Sequence, residues 1–215
     1  MSESPEYVFE LNASPITGAE SQMFCDNLLR AYMSWCERQR YRMQLVTLQG
    51  SEWGTKQAIA LVEGDCTALE THAGLFRLLA ESPLDPTPRR IHAHTAQVRW
   101  YPSSLDDIAV KFERLGVGAG GAVERLHCLR AVAPTSEVTL TQVQGQSWAE
   151  LEAIARRILA GRLRQPRLAF SEQQTFLCRL HPVAQFYARL NLQGKTINLS
   201  RAGLAAFWQG EFPTD

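Results

Sequence analysis

The chain has 215 residues and balances 22 lysine and arginine residues against 22 aspartate and glutamate residues, so its formal net charge is zero. With 45% hydrophobic and 20% charged residues, it has the composition of a soluble globular protein with a real core. No apolar run approaches the roughly 20 residues that span a bilayer, and the acidic first residues lack the basic-then-apolar order of a signal peptide. We therefore expect a cytoplasmic protein with no membrane contact.

The first part of the chain predicts a sheet and one long helix. Thr17 and Glu20 fit a capping box, and an apolar stripe at helical spacing follows, before the helix ends at Arg40. The stripe consists of Phe24, Leu28, Ala31, Tyr32 and Trp35. Strands are predicted over 7–13, 41–48, 56–63 and 91–100, with a short helix over 67–72. Pro102-Ser103-Ser104 marks a domain boundary.

The second part predicts a small unit of strand, loop, hairpin and helix over 103–165. Its strands cover 108–115, 126–133 and 137–144, and a helix follows over 147–163. The helix has apolar residues at Leu151, Ile154 and Ile158. The tail, 166–215, reads as mixed strands with a short helix near 204–208, and we expect it to pack back on the first region. The fold class is therefore α+β.

Cysteine and histidine give little sign of a metal. The five cysteines are scattered and none forms a CxxC pair, so we expect reduced, mostly buried thiols. His92 and His94 alternate on one face of a strand, which suits a metal, but no third ligand lies nearby in sequence. A packed or solvated pair is the favoured interpretation, and we predict no metal and no cofactor.

A glycine-rich loop, Gly116-Val117-Gly118-Ala119-Gly120-Gly121, follows a predicted strand. It fails as a nucleotide-binding loop because no Lys-Ser/Thr closes it and a second strand, not a helix, comes next. Its glycines allow positive φ and a close backbone approach to a partner. On spacing alone, a flexible connection between strands is the favoured interpretation.

Several segments, taken in order, resemble the bacterial class-I peptide-chain release factors, in particular the type that reads UGA and UAA. Gly18-Ala19-Glu20-Ser21-Gln22 is similar to the family's GTEAQ, and Ser82-Pro83-Leu84-Asp85 to its SPFD. Arg89 and Arg90 match the arginines after SPFD, and Gly118-Ala119-Gly120-Gly121 takes the place of GAGGQ. The resemblance covers roughly residues 8–165, and from it we expect no counterpart of the family's helical N-terminal domain. It implies a codon-recognition-like region over 1–102, a small tip domain over 103–165, and a C-terminal segment over 166–215.

The resemblance implies that Ser82, Pro83, Leu84, Arg89, Arg90 and His92 correspond to the family's RNA- and codon-binding residues. Such proteins read splayed single-stranded bases by hydrogen bonding and stacking. Leu84 replaces an aromatic residue, which removes a stack worth about 1–3 kcal/mol per base. Ile91 displaces the family's histidine by one position. We therefore expect altered or absent codon specificity.

The resemblance also implies that Gly120, Gly121 and Ala122 form the catalytic tip, in degenerate form. The family's glutamine contributes a backbone N–H to the developing oxyanion and a side chain that orders water. Ala122 keeps the N–H and loses the side chain. Few basic residues remain on the helix that follows, so contacts to ribosomal phosphates should be fewer. We expect a pseudoenzyme, or peptidyl-tRNA ester hydrolysis at most.

Three functions stay open. In the first, the chain is a release-factor-derived protein that acts in termination or rescue. It binds the ribosome, with its rRNA, mRNA and peptidyl-tRNA, but hydrolyses little. Alternatively, it is an active peptidyl-tRNA hydrolase that uses the Gly120-Gly121-Ala122 backbone. In the third, it is a protein-interaction module that has left translation, for which the near-neutral surface is suited.

Overall fold

The computed structural model describes residues 5–16, 18–70, 72–82, 84–87, 91–115, 127–132, 139–145, 147–164, 175–179, 187–192, 195–199 and 201–212. These residues form an α+β fold, which confirms the predicted class. The helices are α1 (Gly18–Gln39), α2 (Thr67–Glu70), α3 (Trp148–Arg164) and α4 (Arg201–Trp208). The strands are β1 (Glu6–Ala13), β2 (Arg42–Ser51), β3 (Gly54–Glu63), β4 (Gly74–Glu81), β5 (Ile91–Pro102), β6 (Lys111–Leu115), β7 (His127–Val132), β8 (Thr139–Gly145), β9 (Thr175–Arg179), β10 (Tyr187–Leu192) and β11 (Lys195–Leu199).

The strands form two sheets. The large sheet has eight strands in the order β11-β10-β9-β4-β5-β1-β3-β2, and the small sheet has the order β6-β7-β8. Neighbouring strands are antiparallel except β4 and β9, which run parallel. Because β9 pairs with β4, the C-terminal strands extend the same sheet as the N-terminal strands.

The α1 helix covers one face of the large sheet. The predicted stripe is confirmed, since Phe24, Leu28, Ala31 and Tyr32 are buried against β1, β3 and β5. The turn between β2 and β3 reaches the start of this helix at Gly54, whose φ is +132°. A Cβ on Gly54 would lie 2.6 Å from the Gln22 carbonyl oxygen, so the close approach requires glycine there.

The α3 helix and the small sheet cover the opposite face. Val8, Ile59 and Leu61 of the large sheet share one core with side chains of α3 and of the small sheet. The predicted apolar residues of α3, Leu151, Ile154 and Ile158, all lie in this core. The second unit therefore buries its helix between two sheets.

Several predicted bounds shift in the structure. The short helix ends at Glu70, the strand predicted from 108 begins at Lys111, and the C-terminal helix begins at Arg201. The sequence reasoning assigned no strand to 74–81, where the structure has β4. The alternation is hard to see in the sequence because Leu75-Phe76 and Leu78-Leu79-Ala80 are consecutive apolar residues.

The described cysteines fit the expectation of buried, reduced thiols. Cys25, Cys36 and Cys66 are buried and free, and burial raises the pKa of each thiol to about 12. Among the described residues, no helix combines the length and apolar character needed to cross a membrane.

Candidate RNA-binding loop and tip

The structure brings three of the predicted site residues together where β4 leads into β5. We call this connection, with the first two residues of β5, the 82–92 loop. Ser82 comes directly after β4, Leu84 follows two residues later, and His92 is the second residue of β5. Pro83, Arg89 and Arg90 lie outside the described residues. The first turn of α1 lies beside this loop, because Ser21 Oγ accepts a hydrogen bond of 2.9 Å from the Thr95 amide of β5.

Glu20 of α1 binds the serine of this loop. Ser82 Oγ donates to Glu20 Oε1 at 2.7 Å and accepts from the Leu84 amide at 3.1 Å. The hydrogen bond from Ser82 lowers the pKa of Glu20 against the opposing effect of burial. Ser82 is only 7% exposed. Its hydroxyl is thus directed at a carboxylate inside the protein.

His92 lies between two carboxylates. Its Nε2 is 2.8 Å from Asp85 Oδ2, and its Nδ1 is 3.7 Å from Glu20 Oε1. Asp85 also accepts a 2.9 Å hydrogen bond from the Thr87 amide, which fixes the turn that holds it. Both ring nitrogens of His92 therefore face protein groups.

His94, two residues along β5, is 4% exposed, and its Nε2 has no hydrogen-bond partner. His94 is thus packed in the interior, whereas His92 is hydrogen-bonded to Asp85. Within the described part of the chain, no three His, Cys, Asp or Glu side chains form a metal-binding group.

Two exposed apolar side chains belong to the described residues of this loop and of the segment before α1. Leu84 is 41% exposed, and Ile16, just before α1, is 91% exposed. With Ser82 and His92 engaged by carboxylates, a leucine side chain is the part of Ser82-Pro83-Leu84 that the described residues present to solvent. Apolar contact with a base or with a protein suits this surface better than hydrogen-bonded readout.

Sequence reasoning missed the roles of Glu20 and Asp85. Glu20 was assigned to a capping box, and the Thr17 half of that box lies outside the described residues. The observed partner of Glu20 is Ser82, 62 residues away. Asp85 stands two residues before Thr87, a spacing typical of an Asx turn. This spacing was the signal in the sequence that could have predicted a fixed position for the Asp85 carboxylate.

The catalytic tip expected at Gly120, Gly121 and Ala122 lies outside the described residues, as does the rest of 116–126. The strands on either side are described. β6 ends at Leu115, β7 begins at His127, and the two pair antiparallel from Lys111↔Val132 to Leu115↔Cys128. This pairing places both ends of the tip segment at one end of the small sheet.

The described basic side chains of the second unit all have carboxylate partners within the molecule. Between 103 and 164, each lysine or arginine whose side chain is described has a carboxylate within 4 Å. Arg164 lies 2.6 Å from Asp106, and Arg157 lies 2.8 Å from Glu6. The others are Lys111 and Arg130 with Glu113, Arg114 with Glu152, Arg156 with Asp107, and Arg162 with Glu10. Paired guanidinium groups contribute less to phosphate binding than free ones.

Comparisons with known proteins agree on one family. The PCRF domain model matches residues 3–98. Peptide chain release factor 2 of Thermosipho africanus is 32% identical over 176 residues, which cover 73% of this chain and 46% of the relative. Peptide chain release factor 2 of Thermotoga petrophila is 37% identical over 97 residues, covering 44% of this chain and 26% of the relative.

A solved structure shows the same fold. Release factor 2 of Thermus thermophilus superposes with a TM-score of 0.75 at 19% identity, covering 98% of this chain and 66% of that chain. The chain belongs to the bacterial class-I peptide-chain release factor family. The chain spans about half the length of these curated relatives. The match covers 73% of this chain but only 46% of the Thermosipho africanus protein.

Proposed function

We propose that this chain binds the ribosome as a release-factor-like protein of translation termination or rescue, with lost or weak peptidyl-tRNA hydrolysis. The observation that carries the proposal is the combination of a release-factor fold over 98% of the chain with a tip that ends in Ala122. The family supplies the ribosome, with its rRNA, mRNA and peptidyl-tRNA, as the partner. The changes at Ala122 and Leu84 argue against full activity.

The chemistry at the tip would be attack of water on the ester carbonyl of peptidyl-tRNA, with the 3′ oxygen of the tRNA as leaving group. The backbone N–H of Ala122 suits a role in stabilising the oxyanion, because that donor does not depend on the side chain. Alanine cannot order the attacking water through an amide. Removing one hydrogen-bond donor to the transition state lowers the rate of such reactions on the order of a hundredfold or more.

The 82–92 loop favours weak discrimination among codons. Ser82 is bound by Glu20 and His92 by Asp85, so their hydrogen bonds to a base would compete with bonds inside the protein. Leu84 offers apolar contact that is tolerant of base identity. We therefore expect ribosome association that differs little between programmed codons.

The association itself is tested by co-sedimentation of the purified chain with ribosomes at low salt. We expect the wild type and Ser82→Ala to co-sediment equally, since the Ser82 hydroxyl faces Glu20. Leu84→Ala should co-sediment several-fold less. Leu48→Ala, an exposed leucine on β2, serves as the matched control. No co-sedimentation of the wild type would refute the proposal.

A second candidate function is that of a protein-interaction module outside translation. The paired cations of the second unit and the exposed Leu84 and Ile16 favour it, because both suit a protein surface better than a polyanion. Co-purification with a non-ribosomal protein that resists nuclease and salt would support this candidate over the ribosomal one.

A further inference from the structure

The α3 helix is packed between the two sheets, and its core belongs to both regions of the chain. Leu151, Ile154 and Ile158 of the helix lie in one cluster with Val8 and Ile59 of the large sheet. The same cluster includes Leu129 and Val143 of the small sheet. Separating the second unit from the large sheet would expose this apolar surface to water, at roughly 25 cal/mol per Å².

A buried charge cluster joins the same two surfaces. Glu10 of β1 is 4% exposed and accepts hydrogen bonds from Arg162 of α3, Tyr101 and Arg99. The Arg162 Nε lies 2.9 Å from Glu10 Oε1. We call these four residues the Glu10 cluster. Separation would remove Arg162 from Glu10, which would keep only Arg99 and Tyr101 of its own sheet, and the loss of this buried partner opposes independent motion of the helix.

A close backbone approach fixes the position of α3 beside the Glu10 cluster. A Cβ on Gly161 would overlap the carbonyl oxygen of Pro102 and lie 3.2 Å from Ser103 Cα. The Ser103 amide donates to the Glu6 carbonyl oxygen at 2.9 Å, and the Ser104 amide to the Arg157 carbonyl oxygen at 3.2 Å. The linker between the two predicted domains is thus bonded to β1 on one side and to α3 on the other.

We propose that the Glu10 cluster and the Gly161 contact lock the second unit onto the large sheet, so that both regions move and unfold as one body. The strands that flank the tip then keep one orientation relative to the 82–92 loop. This lock goes beyond the proposed function, because it concerns the free protein and holds whether or not the chain binds ribosomes.

Hydrogen–deuterium exchange of the full chain, followed by mass spectrometry with urea titration, tests the lock. In the wild type, the most protected amides of α3 and β1 should open with the same free energy, equal to that of global unfolding. Gly161→Ala improves helix propensity by about 1 kcal/mol but introduces the overlap with Pro102, so exchange in α3 should become faster rather than slower.

Arg162→Met removes one partner of the Glu10 cluster and should speed exchange in α3 and β7 on the order of a hundredfold. Arg114→Met, an arginine paired with Glu152 inside the second unit, is its control. Leu163→Ala, an exposed position on α3, is the control for Gly161→Ala. Neither control should change exchange more than about twofold.

The proposal is overturned if wild-type α3 opens at a lower free energy than β1, or if Arg162→Met behaves like Arg114→Met. If a variant is too unstable to purify, the comparison of α3 with β1 in the wild type alone decides whether the two regions open together. Because no ribosome is present in this experiment, its failure is distinguishable from failure of the proposed function.

Discussion

The two faces of the large sheet are closed by different chemistry. On the α1 face, the rings of Phe9, Tyr32 and Trp100 pack with centroids 4.8–5.4 Å apart. On the α3 face, mostly aliphatic side chains form the core together with Tyr101, and arginine–carboxylate pairs such as Arg157 with Glu6 lie around it. Apolar packing contributes stability with little directional preference, whereas ion pairs with few alternatives specify orientation. Both faces therefore bury an apolar core, and the α3 face adds ion pairs that join the second unit to the large sheet.

The largest expected effect comes from opening the aromatic face. Phe9→Ala should lower the free energy of unfolding by about 3–5 kcal/mol, because it leaves a cavity between Tyr32 and Trp100. Urea unfolding monitored by circular dichroism measures the change. Trp53→Ala, an exposed aromatic in the turn between β2 and β3, should change it by no more than about 0.5 kcal/mol. Equal losses in the two variants would contradict the assignment of the core.

The aromatic face should also make the protein acid-sensitive. His72 packs against Phe212 with ring centroids 4.9 Å apart, and its Nδ1 lies 3.3 Å from Tyr32 Oη. Burial lowers the pKa of His72 from 6.5 to about 4. Between these values the unfolded chain binds a proton that the folded chain does not. Stability should therefore fall as the pH drops through this window, by about 3 kcal/mol in total.

Unfolding midpoints between pH 7 and pH 4 check this dependence. His72→Gln cannot titrate and should flatten the curve over that range, whereas Arg114→Met, which keeps His72, should retain it. A His72→Gln curve as steep as that of the wild type would assign the acid sensitivity to other groups.

A smaller effect is expected on the α3 face. Glu6→Gln keeps the shape of the side chain but removes the charge that Arg157 contacts at 2.8 and 3.0 Å. The substitution should lower the free energy of unfolding by about 1.5–3 kcal/mol, the range for hydrogen bonds to charged groups. Raising the salt concentration should narrow the difference only slightly, since both side chains are mostly buried. A loss as large as that of Phe9→Ala would remove the contrast between the two faces.

The smallest effect belongs to the exposed pairs of the second unit. Arg114→Met separates Arg114 from Glu152 at 3.7 Å, on the solvent side of α3. The loss in the free energy of unfolding should be below about 1 kcal/mol and should shrink at 1 M salt to the share of the contact between Arg114 and the Trp148 ring. Differential scanning calorimetry at two salt concentrations measures it. A larger loss in the free energy of unfolding that does not depend on salt would show that this pair behaves like the buried pair of Arg157 with Glu6.

Sequence reasoning predicted the elements whose pattern is local. The stripe of α1 and the apolar spacing of α3 gave both helices, because the 3.6-residue period is visible within one element. The segment 74–81 was missed because its apolar residues are consecutive and its partner β9 lies about a hundred residues further along the chain. The resemblance located the 82–92 loop, since Ser82-Pro83-Leu84 is a contiguous motif.

The contacts that determine the site could not be read in the same way. Glu20 and Ser82 are 62 residues apart, and Glu10 and Arg162 are 152 apart. No local spacing reports such pairs, and arginines on a helix look alike in sequence whether they face water or a buried carboxylate. The sequence therefore predicted fewer phosphate contacts for the second unit without indicating that its arginines bind carboxylates of the protein.

Release of formyl-methionine from programmed ribosomes tests the central claim most directly, with ribosome occupancy measured by co-sedimentation in the same samples. We expect the wild type to occupy the ribosomes and to release no more than background, with or without a stop codon. Gly121→Pro should then leave both readings unchanged. Release well above background, abolished by Gly121→Pro, would contradict the claim and show that the Gly120-Gly121-Ala122 backbone is an active hydrolytic tip.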